Sequence, residues 1–217
     1  MLSRTIRRAL CHEGRVGTIL RPRQAYPHFT AKAVVDGKIT SVDTKALTKD
    51  YLVTIFYPFD FTFVCPTELT AFSDAAAEFA ARGAGLVAVS TDSVHSHLQW
   101  SQMPREQGGL GKLEFPLVAD FSKKISRSFG FLVEDEHDDL FGAPLRGLVL
   151  SDKSGVVKHV QANDAPVGRS TEETLRLIDA FTFAAKNGQV CPANWKKGAK
   201  TITPDHSKKT EYFKNPK

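Results

Sequence analysis

Apolar and polar positions along the chain fall into short blocks with two different periods. Residues 51–57, YLVTIFY, form an apolar, β-branched and aromatic run of buried-strand length. Residues 86–90 (LVAVS), 115–120 (FPLVAD) and 146–152 (RGLVLSD) repeat that signature. Residues 33–40, AVVDGKIT, read as a hairpin, because Asp36-Gly37 suits a type I′ turn between β-prone runs. Between these blocks the period becomes helical. Leu69, Phe72, Ala76 and Phe79 recur at helical spacing behind Pro66, which suits a first turn, and Gly83 supplies the stop. Cys65 stands at the head of this helix. A second helical segment is expected over about 93–103. A turn over residues 152–155 leads into a strand at 156–160. Ser170 and Glu173 then form a capping box, opening a helix that carries Leu175, Ile178 and Phe181. Strands alternating with helices predict an α/β domain with helices on both faces of a central mixed sheet. From about Asn187 the periodicity is lost, and the Lys-rich stretch 195–217 reads as an extended or loosely packed tail.

A length of 217 residues with 41% hydrophobic positions suits one domain plus appendages. The formal net charge of +5 is unevenly placed. Residues 1–28 hold six of the 29 basic and one of the 24 acidic side chains, so the remainder carries 23 of each sign. A balanced body gives no signal for nucleic acid or an anionic membrane as partner. No apolar run approaches the roughly 18 residues a spanning helix needs. The leader is Arg-rich and nearly free of acids, with Leu2, Ile6, Ala9 and Leu10 on one helical face and Arg4, Arg7 and Arg8 off it. This is the composition of a mitochondrial transit peptide, and a plain basic tail is the alternative. The expected organisation is a leader at 1–24, a domain at 25–186 and a tail at 187–217.

Three cysteines, Cys11, Cys65 and Cys191, are too few for a disulfide framework, and no C-x-x-C pair exists. A thiolate is the reactive form of cysteine, and a helix N-terminus stabilises it through free backbone N–H groups and the helix dipole. Cys65, at a strand-loop-helix junction, has that setting. On position alone it would more often be a small buried hydrophobe. Its neighbours decide the matter. Residues 58–68, PFDFTFVCPTE, hold Pro58, Thr62 and Cys65 in the spacing P-x-x-x-T-x-x-C, and with this string the sequence resembles the typical two-cysteine peroxiredoxins.

The resemblance implies a thioredoxin-like fold and reduction of hydrogen peroxide and organic hydroperoxides through a sulfenic acid on Cys65. Thr62 would sit beside the sulfur and Pro58 would shield it from water. Arg146, in APLRGLVLSD, matches the family's distant arginine; without the motif it would read as half of a surface ion pair. Glu68 and Arg169, in NDAPVGRS, resemble the pair that orients it. Cys191, in NGQVCPANW, resembles the resolving cysteine, which in this class bonds Cys65 of the other subunit of a homodimer. The resemblance further implies a thioredoxin-type dithiol reductant, a decamer of five dimers as a possible higher assembly, and no cofactor or metal, while the leader's composition gives the mitochondrial matrix as the expected location. Gly108, Gly109, Leu110 and Gly111, with Tyr212 and Phe213, resemble paired elements of family members that over-oxidise easily. Two departures stand out: residues 133–144 are longer and more acidic than usual, and Asn194 and Lys197 replace an expected glycine and proline around Trp195.

Three rival readings arise. A metal site finds little support among His12, His28, His95, His97, His137, His159 and His206, since only His95 and His97 are close and an i, i+2 pair does not share a helical face. A holdase chaperone, acting as a ring-shaped assembly, is the alternative from a different functional class. A phosphate-binding reading of the Gly108–Gly111 run fails for want of the strand-loop-helix context of a P-loop.

Overall fold

The computed structural model describes residues 19–214; the amphipathic reading of residues 2–10 and Cys11 lie outside the described residues. The chain opens with strands β1 (Thr30–Val35) and β2 (Lys38–Asp43), antiparallel with Val35 opposite Lys38. Asp36 and Gly37 have φ of 48° and 69°, the doubly positive turn that the Asp-Gly pair predicts. A short helix α1 (Thr44–Leu47) precedes β3 (Tyr51–Phe56), every residue of which is buried. Helices α2 (Val64–Asp74) and α3 (Ala76–Ala81) follow, then β4 (Ala84–Ser90), α4 (Val94–Gln102), β5 (Leu117–Ala119) and α5 (Lys124–Phe129). Strands β6 (Arg146–Asp152) and β7 (Val157–Asn163), then helices α6 (Thr171–Asn187) and α7 (Lys209–Lys214), complete the fold.

The seven strands form one mixed sheet in the order β2-β1-β5-β4-β3-β6-β7, with β3 and β5 parallel to β4 and the other pairings antiparallel. The expected α/β architecture is present, and the central run reads as continuously apolar because both faces of β3 are covered. Val53, Ile55 and Tyr57 point into a cluster with Leu69, Phe72, Phe79, Trp100 and Ile178, while Leu52 and Phe56 point into the opposite one with Val87, Phe129, Phe131 and Val149. Residues 19–24 pack with this body. Ile19 and Leu20 lie against the second cluster, and the Arg23 amide bonds the Val157 carbonyl at 2.8 Å.

Three local expectations need correction, and two short helices were not foreseen. The helix behind Cys65 is two helices, broken at Ala75, where ψ is 2°. The strand expected over 115–120 shrinks to 117–119, since Pro116 cannot donate to a ladder. Helices α1 and α5 are too short to display a period. The tail is not loose at its start. Trp195 is 2% exposed, its ring 5.1 Å from that of Phe183, and Val190 pairs with Ile202 across a closed loop.

Candidate functional site

Helix α2 delivers two site residues on one face. Cys65 lies in its first turn and Glu68 one turn later, the i, i+3 spacing that stacks side chains. Both are buried, Cys65 to 1% and Glu68 to 3% exposure. The first residue of β6 supplies Arg146, whose Nη1 lies 3.4 Å from the Cys65 sulfur and 2.7 Å from Glu68 Oε2, while its Nε donates to the Ala165 carbonyl at 2.6 Å. Arg169, just before the Ser170 cap of α6, closes the arrangement. Its Nε and Nη2 reach Glu68 at 2.6 and 3.0 Å, and its backbone N–H donates to the same carboxylate at 2.8 Å. Arg169 Nη1 donates to the carbonyls of Phe56 and Gly147, tying the cluster to β3 and β6.

One carboxylate therefore holds two guanidinium groups. Burial would push the Glu68 carboxyl up, but hydrogen bonds and charge from Arg169, joined by the charge of Arg146, outweigh it and hold Glu68 below its ordinary range. Glu68 stays charged, and Arg146 keeps one nitrogen aimed at sulfur. A fixed cation and donor at that distance can stabilise negative charge on the sulfur or on an oxygen leaving it. Gly147 and Gly168 permit the close packing. A Cβ on Gly147 would meet the Phe131 ring at 2.6 Å, and one on Gly168 would meet Val64 at 3.3 Å.

The loop before α2 carries the remaining motif residues. Pro58 is buried, and the Thr62 hydroxyl donates to the Phe59 carbonyl at 3.0 Å, which leaves its lone pairs to accept. Phe61 sits at φ 55°, a left-handed conformation uncommon for a bulky side chain. A buried network missed by sequence reasoning braces this loop. Asp60 accepts from the Tyr57 hydroxyl at 2.8 Å and the Ser96 hydroxyl at 2.8 Å, and pairs with His97 Nδ1 at 2.8 Å. His97 Nε2 reaches the Val118 carbonyl at 3.1 Å, and the Asp60 amide donates to Asp92 at 3.0 Å. Burial first, and then the charge of Asp60, raises both the Tyr57 phenol and the Asp92 carboxyl above their ordinary values. The available signal was His97 sharing the apolar face of α4 with Trp100, three residues on. His95 is exposed, so the two histidines do diverge.

Cys191 is not bonded to Cys65; both are free thiols. Its sulfur faces the Ala180 carbonyl of α6 at 3.6 Å, and burial raises its thiol above the ordinary value despite the opposing charge of Arg176. The Gly108–Gly111 run is pinned to the end of α4. Trp100 Nε1 donates to the Gly108 carbonyl at 2.9 Å, Leu110 is fully buried, and a Cβ on Gly109 would strike the Met103 carbonyl at 2.1 Å. Tyr212 and Phe213 meet each other edge-on at 5.5 Å, with Phe213 left 64% exposed. Among the described residues no group of three or more His, Cys, Asp or Glu could hold a metal ion.

Residues 22–160 match the AhpC/TSA family. The chain belongs to the peroxiredoxins. Residues 180–215 further match the C-terminal domain of 1-Cys peroxiredoxin, although in this chain that segment carries Cys191. The peroxiredoxin is 49% identical over 178 residues to a thioredoxin peroxidase of Echinococcus granulosus, covering 82% of this chain and 90% of the relative. It is 50% identical over 190 residues to the mitochondrial thioredoxin-dependent peroxide reductase of Mus musculus, covering 88% and 72% of the two chains. Its fold superimposes on the reduced 2-Cys peroxiredoxin of Plasmodium vivax with a TM-score of 0.83 at 36% identity, covering 90% of this chain and 99% of that one. The peroxiredoxin is thus a thiol-dependent peroxidase with a thioredoxin-like fold, and the chaperone alternative is not favoured.

Proposed function

We propose that Cys65 is the peroxidatic thiol and Cys191 the resolving one. The Cys65 thiolate attacks the terminal oxygen of ROOH; the O–O bond breaks, Cys65 becomes a sulfenic acid, and the departing RO⁻ takes a proton to leave as ROH. Arg146 stabilises the charge passing from sulfur to the departing oxygen, and Glu68 and Arg169 fix its direction. With its hydrogen committed to Phe59, Thr62 accepts a hydrogen bond from the peroxide O–H and so orients the substrate, while Pro58 keeps bulk water from the sulfur. The Cys191 thiol of the partner subunit then condenses with the sulfenic acid, forming the Cys65–Cys191 disulfide and releasing water. A thioredoxin-type dithiol returns both cysteines to thiols and becomes a disulfide itself. The electrons come from thiols throughout, so the cycle calls for no metal or cofactor.

The observation that carries this reading is the 3.4 Å approach of Arg146 Nη1 to a cysteine sulfur that is 1% exposed. The names of the Echinococcus granulosus and Mus musculus relatives support thioredoxin as reductant, and the second supports a mitochondrial location; within the mitochondrion we place the chain in the matrix, with the Arg-rich leader as import signal. Phe63 at 92% exposure and Phe121 at 76% are large apolar side chains that assembly would cover, supporting self-association; the assembly we propose is a homodimer, with a decamer of five dimers as its possible higher form. The Gly108–Gly111 run and the Tyr212-Phe213 pair would slow release of the tail and so favour over-oxidation of Cys65 to sulfinic acid; intact mass after cycling with excess peroxide should rise by two oxygens. The direct test of the catalytic assignment is peroxide turnover by Cys65→Ser. Loss of turnover is expected, and retained turnover would overturn the assignment. Suppression of aggregation by the same variant would reveal a holdase activity independent of the thiol.

A further inference from the structure

The segment that carries Cys191 is a closed loop held to α6. Its base is the backbone pair of Val190 and Ile202, with N···O distances of 2.9 and 3.0 Å, and its interior is Trp195, whose indole N–H donates to the Ala199 carbonyl at 3.0 Å. Helix α6 holds this loop at three points: the Ala180 carbonyl beside the Cys191 sulfur, the Phe183 ring against Trp195, and Arg176, whose Nη1 donates to the Trp195 carbonyl at 3.0 Å. The third hold is the only one of the three made by a charged group, and another side chain aims it. Glu173, one turn earlier, takes Arg176 Nε at 2.5 Å and Nη2 at 2.7 Å, so the remaining nitrogen is directed at the loop. Glu173 is itself fixed near the helix start, where its backbone N–H donates to the Ser170 side chain at 3.1 Å. None of these residues touches Cys65, Arg146 or Glu68.

We infer that the Glu173–Arg176 pair is a latch on the resolving segment, setting how often Cys191 is released and therefore how much Cys65 sulfenic acid survives to be over-oxidised. This rests on the assignment of Cys191 as the resolving thiol. Because Cys191 lies on α6 and is not bonded to Cys65, disulfide formation requires the loop to leave the helix, and the observed rate is the opening equilibrium multiplied by the rate of condensation. The Arg176 bond exists only in the closed form, so it lowers the opening equilibrium by its own net strength. A hydrogen bond from a charged donor, discounted because the Arg176 side chain is 24% exposed, corresponds to roughly fivefold to tenfold. Sulfinic acid formation competes with condensation for the same sulfenic acid, so the peroxide concentration that half-inactivates the enzyme during cycling should scale with the opening equilibrium. Arg176 is a positioning residue. Its charge also acts on the Cys191 thiol, in the direction opposite to burial, so removing it would slow the thiol's attack if activation rather than holding were its role.

The test is rapid-quench mass spectrometry of the full chain, measuring Cys65 sulfenic acid, disulfide and sulfinic acid over time for wild type, Arg176→Gln, Arg176→Lys and Glu173→Gln. In Arg176→Gln, Cys65 oxidation by peroxide should stay within about twofold of wild type, while the disulfide forms roughly fivefold to tenfold faster and the half-inactivating peroxide concentration rises by the same factor. Arg176→Lys, which keeps the charge but lacks the fork, and Glu173→Gln, which frees it, should fall between the two. A purely structural defect would not separate the two rates in this way. Disulfide formation in Arg176→Gln that is unchanged or slower, with Cys65 oxidising normally, overturns the latch and leaves the peroxidase assignment standing. A wild type that forms no Cys65–Cys191 disulfide overturns that assignment and the latch with it.

Discussion

Glu68 bears more of the site than its place in the motif suggests. It is a buried carboxylate between two buried guanidinium groups, and replacing it leaves both uncompensated. Glu68→Gln should cost about 3 kcal/mol of unfolding free energy in urea titration. Its pH dependence follows from the direction of its shift. The folded carboxyl titrates below its unfolded value, so its contribution is complete above the ordinary value of 4.5 and is lost as pH falls through the depressed one. The stability difference between wild type and Glu68→Gln should therefore shrink in acid and be constant near neutrality. Arg146→Lys keeps the charge but loses the planar group whose Nη1 meets both sulfur and Glu68 while Nε is held by the Ala165 carbonyl; the second-order rate of Cys65 oxidation should fall by about 10²-fold or more in stopped-flow measurements. Cys65, Glu68, Arg146 and Arg169 were legible in sequence because the motifs carry them. Asp60 and His97 were not, since no motif marks them as partners and only the fold brings the two together across 37 positions.

Elements were legible where local chemistry and burial agree. The Asp36-Gly37 turn, β3, β6 and the Ser170 cap of α6 lie where turn residues, apolar runs and capping predict them. Helices α1 and α5 are too short for periodicity, and the break at Ala75 leaves Phe72 and Phe79 stacked at 5.7 Å as though the helix continued. The tail was misread because its order comes from isolated contacts with no periodic pattern around them: Trp195 buried against α6, and the backbone pair of Val190 and Ile202. Asn194, found where a glycine was expected, has φ 59°, a conformation that asparagine tolerates. Asn194→Ala should loosen this loop by about 1 kcal/mol, seen as faster hydrogen exchange over residues 190–202 with exchange elsewhere unchanged. Ser170→Ala removes the side chain that accepts from the Glu173 amide and should cost about 1 kcal/mol in global stability.

For the whole molecule, the net charge of +5 is a poor guide to partners, because residues 1–28 hold all of it, and the positive charge to which we assign a role in the reaction is that of Arg146 beside one sulfur. The exposed Phe121 predicts assembly: Phe121→Glu should shift the reduced protein toward smaller species in sedimentation velocity, and an unchanged distribution would place the contact elsewhere. The thiols themselves supply the most direct test of the account. Stoichiometric peroxide should convert wild type on a non-reducing gel to a dimer-mass band whose linking peptides contain Cys65 and Cys191, and Cys191→Ser should stay monomeric with a sulfenic acid on Cys65. A wild-type band that remains monomeric, with no Cys65–Cys191 peptide, would contradict the intersubunit mechanism.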